Sequence, residues 1–231
     1  MSRVGEQILQ HLETVRVERA VRALDQTLDE RVTHVKRFQQ ARFALTYADL
    51  LSHPRYAGAA RFFLEDLYGP GDFTQRDAHF ARVVPALVRL FPHEFAHTVE
   101  SLTALHALSE RLDSEMAHRV PGLPLTRAGY IVAWQETGQP LIRQRQINLM
   151  LEVGRALDIY TQRPLLRHSL RTMRLPARAA GLANLQTFLE NGFDTFRAMR
   201  GASEFLKQIE QRERDMAARL FGSGPAPDLP E

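Results

Sequence analysis

Apolar residues recur at steps of three and four through Val17, Val21, Leu24, Leu28, Val32, Val35 and Phe38, the spacing of an amphipathic helix. No helix breaker interrupts the chain between Gly5 and Pro54. One straight helix over that span would run on the order of 70 Å. It could not bury its stripe on one compact domain, so the pattern favours a break or an antiparallel pair, joined near Asp25–Asp29.

Downstream, proline marks helix starts at positions 54, 92, 140, 164 and 176, where a missing N–H costs nothing. The helix from Pro54 is predicted to reach about Tyr68, before the turn Gly69-Pro70-Gly71. Thr74 and Asp77 form a capping-box pair for the next helix, which carries Phe80, Val83, Val84, Leu87 and Leu90. Pro85 either kinks that helix or restarts it. A long helix follows from Pro92 to about Arg119. Thr126 caps a short one closed by Gly138. The helix from Pro140, rich in apolar residues, reads as the most buried. A short helix runs from Pro164 to Met173, another from Pro176 to Gly201, and the last from Ala202 to about Phe221. No segment alternates with period two or carries a bounded β-branched run. The predicted fold class is all-α, a multi-helix bundle of roughly nine or ten helices. Residues 1–221 form a single helical domain with a soft seam near 121–125, and 222–231 read as a disordered tail.

Composition narrows the function classes only a little. The 231 residues contain no cysteine, which excludes disulfides, thiolate metal sites and a cysteine nucleophile. A net charge of +3 gives no global case for nucleic acid or a membrane surface. The charged N-terminus lacks a signal-peptide run, and no stretch is apolar enough to span a bilayer. A cytoplasmic bacterial protein with no membrane partner is the expectation.

Three stretches carry a resemblance: RFFLEDLYGPGDFTQRDAHFARVVPALVRLFP at 61–92, QINLMLEVGRALDIYT at 146–161 and AGLANLQTFLENGFDTFRAMRG at 180–201. With its FFLEDLYGP…RD motif, the chain resembles a family of uncharacterised all-helical proteobacterial proteins. The resemblance covers most of the chain. It implies a helical fold, and brings neither an established activity nor a functional residue. Physically, Arg76 shares a helix side with Phe73, Phe80 and Val83, so if buried it needs a carboxylate. Asp66 and Asp77, with Glu65 nearby, are the acids for a structural clasp across the turn. A polar ligand site built on the same charges is the alternative.

His93-Glu94-Phe95-Ala96-His97 fits H-E-x-x-H. On a helix the two imidazoles can reach one zinc ion and Glu94 can act as general base, with Glu100 as a third ligand. Against this, Pro92 places the motif on a first turn. The wheel also puts His93, His97, Glu100, Ala104, Arg111 and His118 opposite the stripe Val99, Leu102, Leu105, Leu108, Leu112 and Met116. Both rings should therefore face water. His106, at the edge of that stripe, is a candidate haem ligand with His79 as partner. A satisfied core histidine is the commoner explanation.

Between Ile159 and Leu189 there is no Asp or Glu, yet Arg163, Arg167, Arg171, Arg174 and Arg178 recur at steps of four, four, three and four. Arg167, Arg171, Arg174 and Arg178 form a candidate anion-binding stripe, and nucleic acid would engage the protein only there. The structural alternative is a solvated face neutralised by Glu204, Glu210 or Asp215. With no motif for a cofactor, the leading expectation is a non-catalytic helical protein acting through a protein partner or homo-oligomer surface. A zinc-dependent hydrolase centred on the HEFAH motif and a haem or small-ligand carrier are the alternatives.

Overall fold

A computed structural model describes residues 2–67, 74–90, 93–222 and 228–231, with the side chains of Asp66, Leu67, Leu87, Leu90, Pro164 and Leu165 outside that set. The described residues form twelve α-helices and one π-helical turn, and no strand. Local sequence sets the first boundaries. Ser2 caps α1 (Arg3–Ala23), accepting from Gly5 N at 3.3 Å. Asp25 caps α2 (Gln26–Thr46), accepting from Leu28 N at 3.1 Å. The long apolar run is thus two helices.

Pro54 does not open a helix. It lies in a turn between two short helices, α3 (Ala48–Ser52) and α4 (Ala57–Arg61). From Phe62 to Leu67 the chain winds as a π-helical turn, so the FFLEDL segment adopts a geometry found mostly as single turns inside helices. Helix α5 (Thr74–Leu90) runs through Pro85 unbroken, and α6 spans His93–Ala117. Thr126 caps α7 (Arg127–Thr137), which Gly138 ends at φ 65°. Pro140 and Pro164 stand at the starts of α8 (Pro140–Thr161) and α9 (Pro164–Thr172). The helix expected from Pro176 is two, α10 (Arg174–Ala179) and α11 (Ala183–Ala198), separated by Gly181 at φ 72°. Helix α12 covers Ser203–Leu220. No helix of the described residues is long and apolar enough to cross a membrane.

Three apolar cores hold these helices. One joins α2, the end of α6, α7 and the end of α12 through Val35, Phe38, Met116, Tyr130, Trp134 and Leu220. A second joins the α3–α4 region to α8, α11 and α12 through Tyr56, Leu151, Phe196, Phe205 and Leu206. The third sets Ile8 and Leu12 of α1 against Val84 of α5 and Val99 of α6. Ile8 packs near Val99 while Arg22 reaches Ser114, so α1 and α6 run side by side in the same direction.

Two further expectations are corrected. The apolar row of α1 splits: Val17, Val21 and Leu24 face outward, Leu24 being 90 % exposed, whereas Leu28, Val32, Val35 and Phe38 are buried. Val15, Leu12 and Ile8 supply the inward face of α1 instead. The central helix is α6, which touches α1, α2, α5, α7 and α8; α8 leaves Leu141 and Ile159 exposed. At the chain end, Leu229 is 2 % exposed inside the first core, and Arg127 donates to the Leu229 carbonyl. Residues 223–227 lie outside the described residues.

Helices α8 and α12 meet at Gly154, where a Cβ would come within 2.6 Å of Leu206 Cδ2. Gly154→Ala therefore overpacks a closed contact and should cost about 1–3 kcal/mol, despite alanine's better helix propensity. A denaturant midpoint at or above wild type would contradict this close approach.

Candidate functional site

The zinc motif opens α6, and His93, Glu94 and His97 are all exposed there. The two rings meet edge to face at 4.5 Å. His97 Nδ1 lies 3.1 Å from Glu100 Oε2, so two of the three proposed ligands satisfy each other. Among the described residues no group of three or more His, Asp and Glu is placed to hold a metal ion.

The arginine stripe is split between α9 and α10. Arg174 makes a forked pair with Glu190 of α11 at 2.6 Å, and Arg167 approaches Asp194 of α11 at 3.4 Å. Glu190 and Asp194, rather than Glu204, Glu210 or Asp215, supply the counter-charge; Glu210 serves Arg155 and Arg214. Arg171 and Arg178 are exposed, with no ion pair among the described residues. Exposed pairs of this kind add little to stability, because solvent screens them.

The clasp residues lead inward. Arg76 sits 3.5 Å from Asp77 and stacks on Phe188 of α11 at 4.7 Å. Asp77 reaches Arg19 of α1 at 3.0 Å and accepts from His106 Nε2 of α6 at 2.8 Å. Burial would raise the Asp77 carboxyl, but His106, Arg19 and Arg76 together hold it below its usual value. His106 Nε2 is thereby committed to Asp77, which removes that nitrogen as an axial haem ligand. His79 Nδ1 is buried without a hydrogen-bond partner among the described residues.

One layer deeper lies a charge network that the sequence reading did not find. Glu110 of α6 is 3 % exposed. It receives Arg22 at 2.5 Å, Lys36 at 2.8 Å and Arg19 at 3.1 Å. Arg22 also donates to Ser114 Oγ at 2.8 Å and to the Glu110 carbonyl. Burial alone would raise the Glu110 carboxyl; Lys36 and Arg22, then Arg19, outweigh it and hold the group far below the ordinary carboxylate range. Three residues on, Asp113 accepts from Gln39 at 3.3 Å. There burial outweighs the attraction of Lys36, and the carboxyl is pushed up. Two acids one helical turn apart are thus driven in opposite directions.

The three cores meet around a cavity of about 590 Å³. Its walls are mostly apolar, with Leu12 and Val99 from one core, Phe205 and Ile209 from another and Met216 and Trp134 from the remaining one. Phe62 and Phe63 of the π-helical turn also line it. At one end the wall is polar, with Arg42, Tyr47, Trp134, Arg143 and Glu213, and Arg76, Asp77 and His106 bring a second charged group to the lining. Glu213 Oε1 accepts from Arg42 Nη1 and from the Tyr47 hydroxyl, both at 2.6 Å. The Arg143 guanidinium lies 3.9 Å over the Trp134 ring, and Trp134 stands 6.2 Å from Tyr130. Arg42 Nε, Trp134 Nε1 and the Tyr130 hydroxyl are buried with no hydrogen-bond partner among the described residues. Sequence offered a faint signal: Arg42 and Trp134 sit on helices otherwise read by their apolar rows, and a pattern of two classes sends arginine outward.

No curated protein and no solved structure matches this chain. Residues 18–227, nearly the whole helical body and the entire cavity wall apart from Leu12, match a single family. The chain therefore belongs to the family described as a domain of unknown function, DUF8198.

Proposed function

We propose that this protein is a non-catalytic carrier or sensor that holds an apolar small molecule in its interior. The observation that carries this reading is the cavity of about 590 Å³ at the meeting of the three cores. Protein interiors pack to crystal density, so a space of this size is a built feature of the fold, and its mostly apolar walls favour an apolar occupant over water. Its volume falls in the range of small-molecule sites, as does the ratio of many apolar walls to a few convergent polar groups. Haem is disfavoured because His106 Nε2 is bonded to Asp77. The zinc reading rests on two exposed rings that do not themselves line the cavity, although Phe95 between them does. A partner or oligomer surface would rest on the exposed row Val17, Val21 and Leu24, and nothing beside that row indicates what would cover it.

The test is titration with the neutral fluorophore N-phenyl-1-naphthylamine. Its emission should rise and saturate at one equivalent. Ile147 lines the cavity, so Ile147→Trp should fill the space and weaken binding by at least about tenfold. Binding unaffected by that replacement would contradict the proposal.

A further inference from the structure

We infer that the cavity opens along α9 and α10, and that this mouth docks on a lipid bilayer bearing anionic headgroups. The docking goes beyond the interior-carrier reading and stands without it. Only the passage of a ligand through the mouth rests on that reading.

Ser169, Met173, Pro176 and Ala180 line the cavity and are exposed as well. Apart from Ala86 of α5, every other described lining residue is buried or half-buried. The residues shared between cavity and surface therefore gather on α9, on α10 and at their ends. Leu166, Leu170 and Ala177 turn the apolar side of the same segment toward the space. These two short helices form one wall of the cavity and its edge at once.

Charge is concentrated on that edge. Five arginines and no acid lie between Ile159 and Leu189, so this one segment carries more positive charge than the whole chain at +3. The expectation of no membrane partner drew on the whole-chain value, which hides such a segregation. Arg174 and Arg167 are engaged by Glu190 and Asp194 of α11. Arg163, Arg171 and Arg178 are exposed with no ion pair among the described residues. Arg171 stands in the last turn of α9, and Leu175 and Arg178 lie one turn apart on α10. Leu175 is 76 % exposed and Met173 48 %.

Cations beside protruding apolar side chains suit a bilayer interface, where arginine meets phosphate and leucine reaches the acyl boundary. A single-stranded nucleic acid would ask instead for aromatic platforms. No Phe, Tyr or Trp lies between Tyr160 and Phe188. Docked this way, the mouth faces the acyl chains, and an apolar molecule passes between bilayer and cavity without crossing water.

The experiment is co-sedimentation of the full chain with vesicles of phosphatidylcholine alone, and of phosphatidylcholine mixed equally with phosphatidylglycerol. The protein should pellet with the anionic vesicles and stay in solution with the neutral ones, and its retention should fall as salt rises. Arg171→Gln combined with Arg178→Gln removes two exposed cations that hold nothing in the fold. It should weaken binding roughly thirtyfold. Leu175→Ser leaves the charge unchanged and should weaken binding about tenfold, which a purely electrostatic contact would not show. No retention on anionic vesicles, or retention that both variants leave unchanged, overturns the inference. Polyuridylate bound more tightly than the vesicles, with Leu175→Ser indifferent, would assign the surface to RNA and overturn it too. Self-association of the lipid-free protein that Leu175→Ser abolishes would assign it to a second copy, with the same consequence. None of these readouts uses the cavity probe, so failure of that probe strikes the carrier reading alone.

Discussion

Glu110→Gln should destabilise the folded protein by about 3–5 kcal/mol, the cost of stripping the counter-charge from buried cations. Arg22 is 4 % exposed and Lys36 15 %, and both point at this one carboxylate. Glutamine keeps the shape but not the charge, so the Arg22 guanidinium and the Lys36 ammonium remain desolvated without that anion. For a domain of this size the melting temperature should fall by roughly 10 °C. The pH profile supplies the sign. The Glu110 carboxyl is depressed in the folded state, so its stabilisation is complete above the unfolded value of 4.5 and is lost as pH falls below that toward the folded value. Wild type should therefore lose stability steeply on the acid side, and Glu110→Gln should show a shallower acid limb. Asp113 gives the control. Its carboxyl is raised by burial from 3.8, so ionising it opposes folding as pH rises above that value. Asp113→Asn should cost less than about 1 kcal/mol at neutral pH, or stabilise. Equal losses in the two variants would mean that burial, not the three cations, governs this turn of α6.

Glu213→Gln should cost a comparable amount, about 3–5 kcal/mol, by a different route. Arg42 and Glu213 are nearly enclosed, with side chains 6 % and 10 % exposed, and the Tyr47 hydroxyl shares the same oxygen. Burial pulls the Arg42 guanidinium toward deprotonation, and Glu213 overrides it, holding the charge firmly in place. Without that carboxylate, Arg42 would sit charged in the cavity wall with no anion. A denaturant midpoint for Glu213→Gln within error of wild type would contradict this enclosed pairing.

Much of the architecture was legible from apolar spacing and punctuation. Asp25, Thr126, Pro140, Pro164 and Gly138 each sit where a helix starts or stops, because capping and missing N–H groups act within a single turn. Pro54 and Pro176 misled, since proline is equally at home in a turn and inside a first turn. The row Val17, Val21, Leu24 misled for a different reason. Periodicity says that a helix has an apolar face, while tertiary packing decides which face is covered, and α1 turns Ile8, Leu12 and Val15 inward instead. The cavity and its polar end were not legible. Arg22, Lys36, Arg42, Glu110 and Glu213 are charged residues inside the protein, and a two-class pattern assigns charge to solvent. Only their long-range partners, separated by as many as 171 positions for Arg42 and Glu213, make their burial tolerable. The motif that stood out most, HEFAH, is a surface turn, and Asp77 joins His106 and Arg19 rather than serving Arg76 alone.

The chain has a single tryptophan, and it stands at the polar end of the cavity. The indole N–H of Trp134 therefore gives one isolated cross-peak in a proton–nitrogen correlation spectrum, reporting directly from the inferred binding site. On titration with N-phenyl-1-naphthylamine that peak should move saturably to a single new position at one equivalent, as an aromatic ring enters the cavity that the indole lines. A peak that stays in place while the probe reaches saturating concentration would contradict an occupied interior.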